Sequence, residues 1–221
     1  MGELILKNNI NQDWVSLIFF INLLFISWMF FLDPLRLRGL IKFYATDFYM
    51  SKFISEKKLN YLSPFNLLSF FIVISAICLY IFSLSNFSNK LIKFSFEYYY
   101  LMISLFVFLS LRFFLIQLIL NHLESIKKSK LLYFKNFTHH VQYSIILIIF
   151  LFFYTYNSYS KHVFISISSC IGVCWFYYQI KMLISLFRPN PKEFLYIILY
   201  LCTLKIIPWY WFYVFIIDQK L

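Results

Sequence analysis

Six apolar runs, most of them as long as a lipid bilayer is thick, constrain this chain more than any other feature. Because an α-helix rises 1.5 Å per residue, about 20 apolar residues cross the ~30 Å hydrocarbon layer. Five runs satisfy this length, and the fourth is short and recruits His140 or Asn157 at its ends. The runs are Trp14–Leu32, Phe65–Leu84, Tyr98–Leu120, Val141–Tyr156, Val163–Phe187 and Phe194–Ile217.

The composition and the pattern within each run indicate membrane helices. Hydrophobic residues make up 62% of the chain and charged residues 13%, about half the charged share of a soluble domain. The runs are apolar on all sides, whereas the strands of a membrane barrel alternate apolar and polar residues. We therefore predict one all-α integral membrane domain over residues 1–221, a polytopic bundle of six transmembrane helices.

The basic residues of the loops predict the orientation of this bundle, since cytoplasmic loops carry an excess of lysine and arginine. The first, third and fifth loops hold twelve basic residues, and the other aqueous segments hold five. The sequence therefore predicts that both termini lie outside. The twelve are Arg36, Arg38, Lys42, Lys52, Lys57, Lys58, Lys127, Lys128, Lys130, Lys135, Arg188 and Lys192, and the five are Lys7, Lys90, Lys93, Lys161 and Lys220.

The first of these loops has a structure of its own. Its apolar residues recur at helical spacing, while Arg38 points away from that stripe. The pattern predicts an amphipathic helix, which either lies along the inner headgroup surface or packs on the ends of the bundle. Asp33–Pro34 ends the first span, and Ser63–Pro64 caps the second. The stripe consists of Leu37, Ile41, Tyr44 and Phe48.

Lys205 lies at the middle of the last apolar run, where a charge is costly unless a partner or a function retains it. Pro208 leaves the carbonyl group of Leu204 without its helical donor. Together with Thr203 and Trp209 it predicts a local polar pocket. The pocket is a candidate ion relay or anion site, or else an interhelical hydrogen bond. No acidic residue lies deep in a span, which favours the structural interpretation.

Two further cations, Arg112 and Lys181, lie in the third and fifth runs. Each is within about nine residues of the end of its span, so its side chain reaches the headgroups by extending along the helix. A shared anionic ligand or lipid headgroup is the alternative interpretation.

The residues His122, Glu124, His139 and His140 surround the third loop. Histidines beside a membrane surface can bind a metal, and a carboxylate can support proton transfer. With only one His-His pair present, a solvated interfacial loop is the better interpretation. No phosphate-binding glycine loop, nucleophile elbow or H-E-x-x-H motif occurs. The sequence therefore predicts no metal and no cofactor, and it favours a non-enzymatic protein over an enzyme.

Ser166, Cys170 and Cys174 follow one another at intervals of four residues on one helix face. Small residues at this spacing let two helix backbones approach closely, so they predict a helix-packing seam. A redox pair is the weaker alternative, because no C-x-x-C spacing is present.

The segment Phe194-Leu-Tyr-Ile-Ile-Leu-Tyr-Leu-Cys-Thr-Leu-Lys-Ile-Ile-Pro208, followed by Trp209 and Tyr210, resembles the C-terminal signature of a Bacteroidota family of multi-pass membrane proteins, domain of unknown function 4271. The loop from Asp47 to Lys58 and the sequence Leu62-Ser63-Pro64-Phe65 also fit that family. The resemblance implies a multi-pass protein of the bacterial inner membrane. It supplies no reaction, and Lys205 stands where the family tends to have glutamate.

Three functions are consistent with the sequence. The first is a non-catalytic scaffold or accessory subunit of a cell-envelope complex. The second is a small transporter or channel, which requires Arg112, Lys181 and Lys205 to converge on one cavity. The third is a lipid-modifying membrane enzyme, which requires His139, His140 and Glu124 to lie together.

The expected partners follow from the charge and the spans. The net charge of +11 lies mostly in the loops, where it faces anionic lipid headgroups. We therefore expect membrane lipids, other envelope membrane proteins or a second copy of the chain as partners, and no nucleic acid.

Overall fold

A computed structural model describes residues 13–42, 63–85, 95–122, 126–157, 160–187 and 210. Regular structure in these ranges is helical throughout, which confirms the predicted all-α class. The described helices are α1 (Asp13–Leu32), α2 (Pro34–Ile41), α3 (Pro64–Ser85), α4 (Ser95–His122), α5 (Ile126–Tyr156) and α6 (Lys161–Phe187).

Four of these helices are long and apolar enough to cross a membrane, and they indicate a membrane protein. α4 carries a shorter apolar stretch, Tyr98–Leu111, among its described side chains. The predicted last span, Phe194–Ile217, lies outside the described residues. The number of spans and the side on which the termini lie therefore stay predictions. The four candidate spans are Trp14–Leu32, Pro64–Leu84, Phe134–Tyr156 and Lys161–Lys181.

The helix that contains the fourth predicted span, Val141–Tyr156, extends well beyond it at the N-terminal end. α5 contains 31 residues and starts at Ile126, and its candidate span starts at Phe134. The hydropathy pattern stopped at polar residues such as Thr138 and His139, but both side chains are buried in the bundle. The Thr138 hydroxyl donates to the carbonyl oxygen of Phe134 at 2.9 Å. Because its polar residues are hydrogen-bonded in this way, the helix extends past the point where hydropathy alone would end it.

Two helix starts follow the predicted caps. The Asp33 carboxylate accepts the backbone N–H of Arg36 at 3.0 Å, and Pro34 occupies the first position of α2, where its missing N–H costs nothing. Before α3, the Ser63 hydroxyl accepts the backbone N–H of Asn66 at 3.4 Å. Both predicted boundaries are confirmed.

The predicted amphipathic helix is present as α2, but with a different buried stripe. Leu37 is buried as predicted, and its companion is Leu40 rather than Ile41, which is 46% exposed. The remaining residues of the predicted stripe, Tyr44 and Phe48, lie outside the described ranges. α2 therefore buries the side that faces the bundle.

Helix α3 lies at the centre of the bundle, packed against α1, α4 and α5, and α6 packs against α5. The C-terminal end of α1, the whole of α2 and the N-terminal end of α3 lie at the same end of the bundle. We call it the basic end, because Arg36, Arg38 and Lys42 lie there. At the opposite end the Trp14 ring is 4.8 Å from Phe82 and 4.9 Å from Tyr98, which ties α1, α3 and α4 together.

Candidate functional site

Four amide side chains are buried in the described part of the chain, each between 1% and 5% exposed. A buried amide that lacks a hydrogen-bond partner destabilises a protein by about 1–3 kcal/mol. The partners of these amides therefore indicate what the interior is built to do. We call the four amides and their partners the polar frame. The amides are Asn22, Asn66, Gln142 and Gln179.

Asn22 connects α1 to α3 in the middle of both helices. Its side-chain Nδ2 donates to the carbonyl oxygen of Ile18 at 2.9 Å. The Ser75 hydroxyl lies 2.6 Å from Asn22 Oδ1 and 3.0 Å from the carbonyl oxygen of Ile72. A hydroxyl has one proton, so the shorter contact across to Asn22 is the stronger one. The Asn22 amide thus forms one hydrogen bond within α1 and another from α1 to α3.

Asn66 connects α3 to α2 at the basic end. Its Oδ1 accepts a hydrogen bond from Arg36 Nη2 at 2.6 Å. The guanidinium carbon of Arg36 lies 4.3 Å from the centre of the Phe65 ring and 5.8 Å from that of Phe134. Aromatic faces attract a cation, and Arg36 is half-buried between them. The charge is thereby held inside a contact of α2, α3 and α5.

The other two amides attach α2 and α6 to α5. Gln142 Nε2 donates to the carbonyl oxygen of Leu40 at 2.9 Å and so holds the last turn of α2. Gln179 Nε2 donates to Asn136 Oδ1 at 2.9 Å. The polar frame therefore links α1, α2, α3, α5 and α6.

The predicted histidine cluster is only partly described. His139 and His140 lie inside α5 rather than in a loop, with their rings 5.2 Å from Tyr178 and 5.7 Å from Trp175 of α6. His122 is the last residue of α4, its side chain is not described, and Glu124 lies outside the described residues.

The described histidines pack against aromatic rings of a neighbouring helix. Among the described residues, no group of three or more His, Cys, Asp or Glu side chains is placed to hold a metal ion.

Of the three predicted intramembrane cations, only Lys181 has a described side chain, so their convergence stays a prediction. Lys181 is exposed on α6. Arg112 lies within α4, but its side chain is not described. The polar pocket of the last apolar run also lies outside the described residues, so its convergence with Lys181 stays a prediction. That pocket comprises Thr203, Lys205, Pro208 and Trp209.

The predicted seam lies on the outer side of α6. Ser166, Cys170 and Cys174 are all exposed, whereas Phe164 on the opposite side of the helix is fully buried. The described helices leave the seam uncovered, so its role in helix packing stays a prediction.

Sequence reasoning missed the polar frame, although a signal for it exists. Asn22 and Gln179 are the amide residues of the first and fifth apolar runs. An amide inside a membrane span needs a hydrogen-bonding partner, because lipid provides none. These residues stand out less than charged ones, and their partners on other helices are not visible in the sequence.

Comparison with known proteins gives one match. A family model described as a domain of unknown function, DUF4271, matches residues 15–216. This range includes nearly all of the chain, so the match confirms the resemblance to this domain of unknown function, while the Bacteroidota source and the multi-pass character stay predictions. Neither the curated proteins nor the solved structures give a match.

Proposed function

This chain belongs to the DUF4271 family, and from that premise we propose that it is a non-catalytic scaffold or accessory subunit of a complex in the bacterial inner membrane. The polar frame carries this proposal. All four buried amides in the described part bond one helix to another. Catalytic and transport sites instead direct polar groups toward a substrate or a hydrated path. Polar groups that hydrogen-bond one helix to another instead stabilise a single arrangement of the helices.

The outer side of α6 is the proposed docking surface. Only 11% of its candidate span is buried. Val173 is 66% exposed and Tyr177 is 64% exposed, and they lie among the small side chains of the seam. Small residues beside large ones let another helix approach closely and interlock with this face. We infer that a transmembrane helix of an envelope protein packs here.

The proposed topology follows from the same helices. α1, α3, α4, α5 and α6 together with Phe194–Ile217 make six spans, and six spans place both termini on one side of the membrane. The basic end carries Arg36, Arg38 and Lys42. Because positively charged segments stay in the cytoplasm, we assign the basic end to the cytoplasm and the termini to the outside.

The proposal is tested by purifying the tagged full chain from native membranes in a gentle detergent and quantifying the proteins that accompany it. Cys174→Leu adds bulk to the exposed side of α6. Ser27→Leu is the matched control, because it adds similar bulk to an exposed position on α1. We expect stoichiometric envelope membrane proteins with the wild type and with Ser27→Leu, and reduced recovery with Cys174→Leu.

The other outcomes each contradict a defined part of the proposal. Recovery of the chain alone overturns the scaffold function. Equal recovery with both variants overturns the assignment to α6. A lower melting temperature of the purified Cys174→Leu protein, with no change for Ser27→Leu, means that another part of the chain or a second copy covers this face. It overturns the docking of a different envelope protein there.

A further inference from the structure

Helix α2 has an exposed side that is neither wholly polar nor wholly apolar. Arg38 lies at its centre and Lys42 follows at the end of the helix, and both are exposed. Leu35 and Ile41 flank them and are 64% and 46% exposed. On a helix side that faced only water, two exposed aliphatic residues beside the cations would gain nothing from their apolar side chains. The combination fits the boundary between lipid headgroups and acyl chains.

The position of α2 places this side at the edge of a candidate span. α2 begins at Pro34, two residues after α1 ends. The guanidinium carbon of Arg38 lies 5.9 Å from the centre of the Phe30 ring, in the last turns of α1. Phe30 is 47% exposed and Phe31 is 86% exposed. The cation therefore lies beside the Phe30 ring at the end of an apolar helix, next to the exposed ring of Phe31 in the sequence.

Two hydrogen bonds hold this arrangement in place. The Asp33 carboxylate accepts the N–H of Arg36 at the first turn of α2, and Gln142 donates to the carbonyl oxygen of Leu40 at the last turn. Both ends of the helix are thus fixed before any ligand arrives. A binding site that is already ordered loses less conformational entropy when it binds.

The charge on this side has no described carboxylate opposite it. Asp33 is the one acidic residue whose side chain the structure describes, and its carboxylate caps α2. Within the described ranges, neither Arg38 nor Lys42 forms an ion pair. An anion supplied from outside the described helices would complement both cations.

We propose that Arg38 and Lys42 bind the phosphate of an anionic phospholipid, whose acyl chains lie against Phe30, Phe31 and Leu35. The planar guanidinium can donate two parallel hydrogen bonds to phosphate oxygens, and the lysine adds a second positive charge. The exposed rings and Leu35 distinguish a lipid from a free phosphate ion, because only the lipid covers them. The site is independent of the proposed scaffold function.

The test measures binding of phosphatidylglycerol to the purified full chain by native mass spectrometry, with phosphatidylcholine as the zwitterionic comparison. A basic residue near an anionic lipid surface contributes about 1 kcal/mol, so Arg38→Gln should weaken phosphatidylglycerol binding about fivefold. Adding Lys42→Gln should weaken it about thirtyfold. Lys181→Gln is the control, because it removes one exposed charge near the same end from another helix.

Four outcomes decide the proposal. Selective loss with the Arg38 and Lys42 variants, at an unchanged melting temperature in detergent, supports it. Equal loss with Lys181→Gln overturns it in favour of a general attraction to the basic end. Displacement of phosphatidylglycerol by millimolar inorganic phosphate, with binding unchanged in Phe30→Ala, assigns the site to a free anion. If Arg38→Gln unfolds the protein, Arg38→Lys decides instead, because it keeps the positive charge. Its phosphatidylglycerol affinity should lie between that of the wild type and that of Lys42→Gln. An affinity outside this range overturns the lipid assignment.

Discussion

Helix α3 has 44% of its candidate span buried inside the bundle, whereas α6 has 11%. α3 is the more apolar of the two, with a mean hydropathy of 2.6 against 1.5, yet this alone does not make it central. Lipid is as apolar as the interior of a membrane protein, so hydropathy places a helix in the membrane without placing it in the bundle.

The difference lies in what the small and polar residues of each helix contact. On α3, Ser69 and Ala76 are fully or almost fully buried, and Ser75 bonds to α1. On α6, the small residues Cys170 and Cys174 face outward. The same class of residue therefore brings helices together inside the bundle and leaves a surface open on its outside.

The largest effect is expected from a substitution that removes the main buried side chain of α6. Phe164 is fully buried, with its ring 4.6 Å from Tyr154, 5.4 Å from Phe150 and 6.2 Å from Tyr80. We expect Phe164→Ala to lower the free energy of unfolding by about 3 kcal/mol, because the cavity it leaves loses these ring contacts. The measurement is unfolding by SDS in mixed micelles.

Phe176 provides the matched control on the same helix, since its side chain is 60% exposed. Phe176→Ala should change the free energy of unfolding by less than about 0.5 kcal/mol. Similar losses for the two variants would mean that the outer side of α6 is as closely packed as the inner side, and the contrast with α3 would disappear.

A smaller effect is expected from the hydrogen bonds, which should differ in strength between α3 and α6. Asn66 on α3 accepts from the charged Arg36, whereas Asn136 on α5 accepts from the neutral Gln179 of α6. Hydrogen bonds to charged groups are stronger, so Asn66→Leu should cost about 2 kcal/mol of unfolding free energy. Asn136→Leu should cost about 0.6 kcal/mol, a typical value between membrane helices. The reverse order, in the same SDS titration, would contradict the assignment of the stronger hydrogen bond to Asn66 and Arg36.

A still smaller coupling tests the bond between α1 and α3. In a double-mutant cycle of Asn22→Ala and Ser75→Ala, we expect an interaction energy of about 1 kcal/mol. The control cycle pairs Asn22→Ala with Ser104→Ala, because the Ser104 hydroxyl donates to Leu101 within its own helix. Its interaction energy should be near zero. Equal coupling in both cycles would show that the 2.6 Å contact contributes nothing specific.

Much of the fold could be predicted because membrane helices have a strong local signal. The first and second apolar runs of the sequence agree within one residue with the candidate spans Trp14–Leu32 and Pro64–Leu84. The caps at Asp33 and Ser63 follow from neighbouring proline residues. Helix α5 begins earlier than the fourth apolar run, because Thr138 and His139 are polar in the sequence but are buried in the bundle.

The candidate site was harder to predict, because it depends on pairs that lie far apart in the chain. Asn22 and Ser75 are 53 residues apart, and Gln142 and Leu40 are 102 residues apart. A charged residue in a span gives a strong sequence signal because each charge is costly in lipid, whereas an amide gives a weaker signal and no indication of its partner. Lys205, which gave the strongest such signal, lies outside the described residues.

The smallest expected effect tests the open side of α6 most directly. A methyl group added at Gly172 would meet nothing within 4 Å. Alanine has a higher helix propensity than glycine in water, but membrane helices keep their backbone hydrogen bonds when they separate, so most of this gain cancels. We expect Gly172→Ala to change the free energy of unfolding by less than about 0.5 kcal/mol in SDS titration.

A loss of about 1 kcal/mol or more in Gly172→Ala would require a neighbour close enough to clash with one methyl group. The described helices provide none at this position, so that neighbour would be a part of the chain outside them or a second copy. A concentration-dependent loss would identify the second copy, and a concentration-independent loss would identify the chain itself. An unchanged free energy leaves α6 as the helix whose outer side is open in the isolated protein, which is the condition that docking of a partner requires.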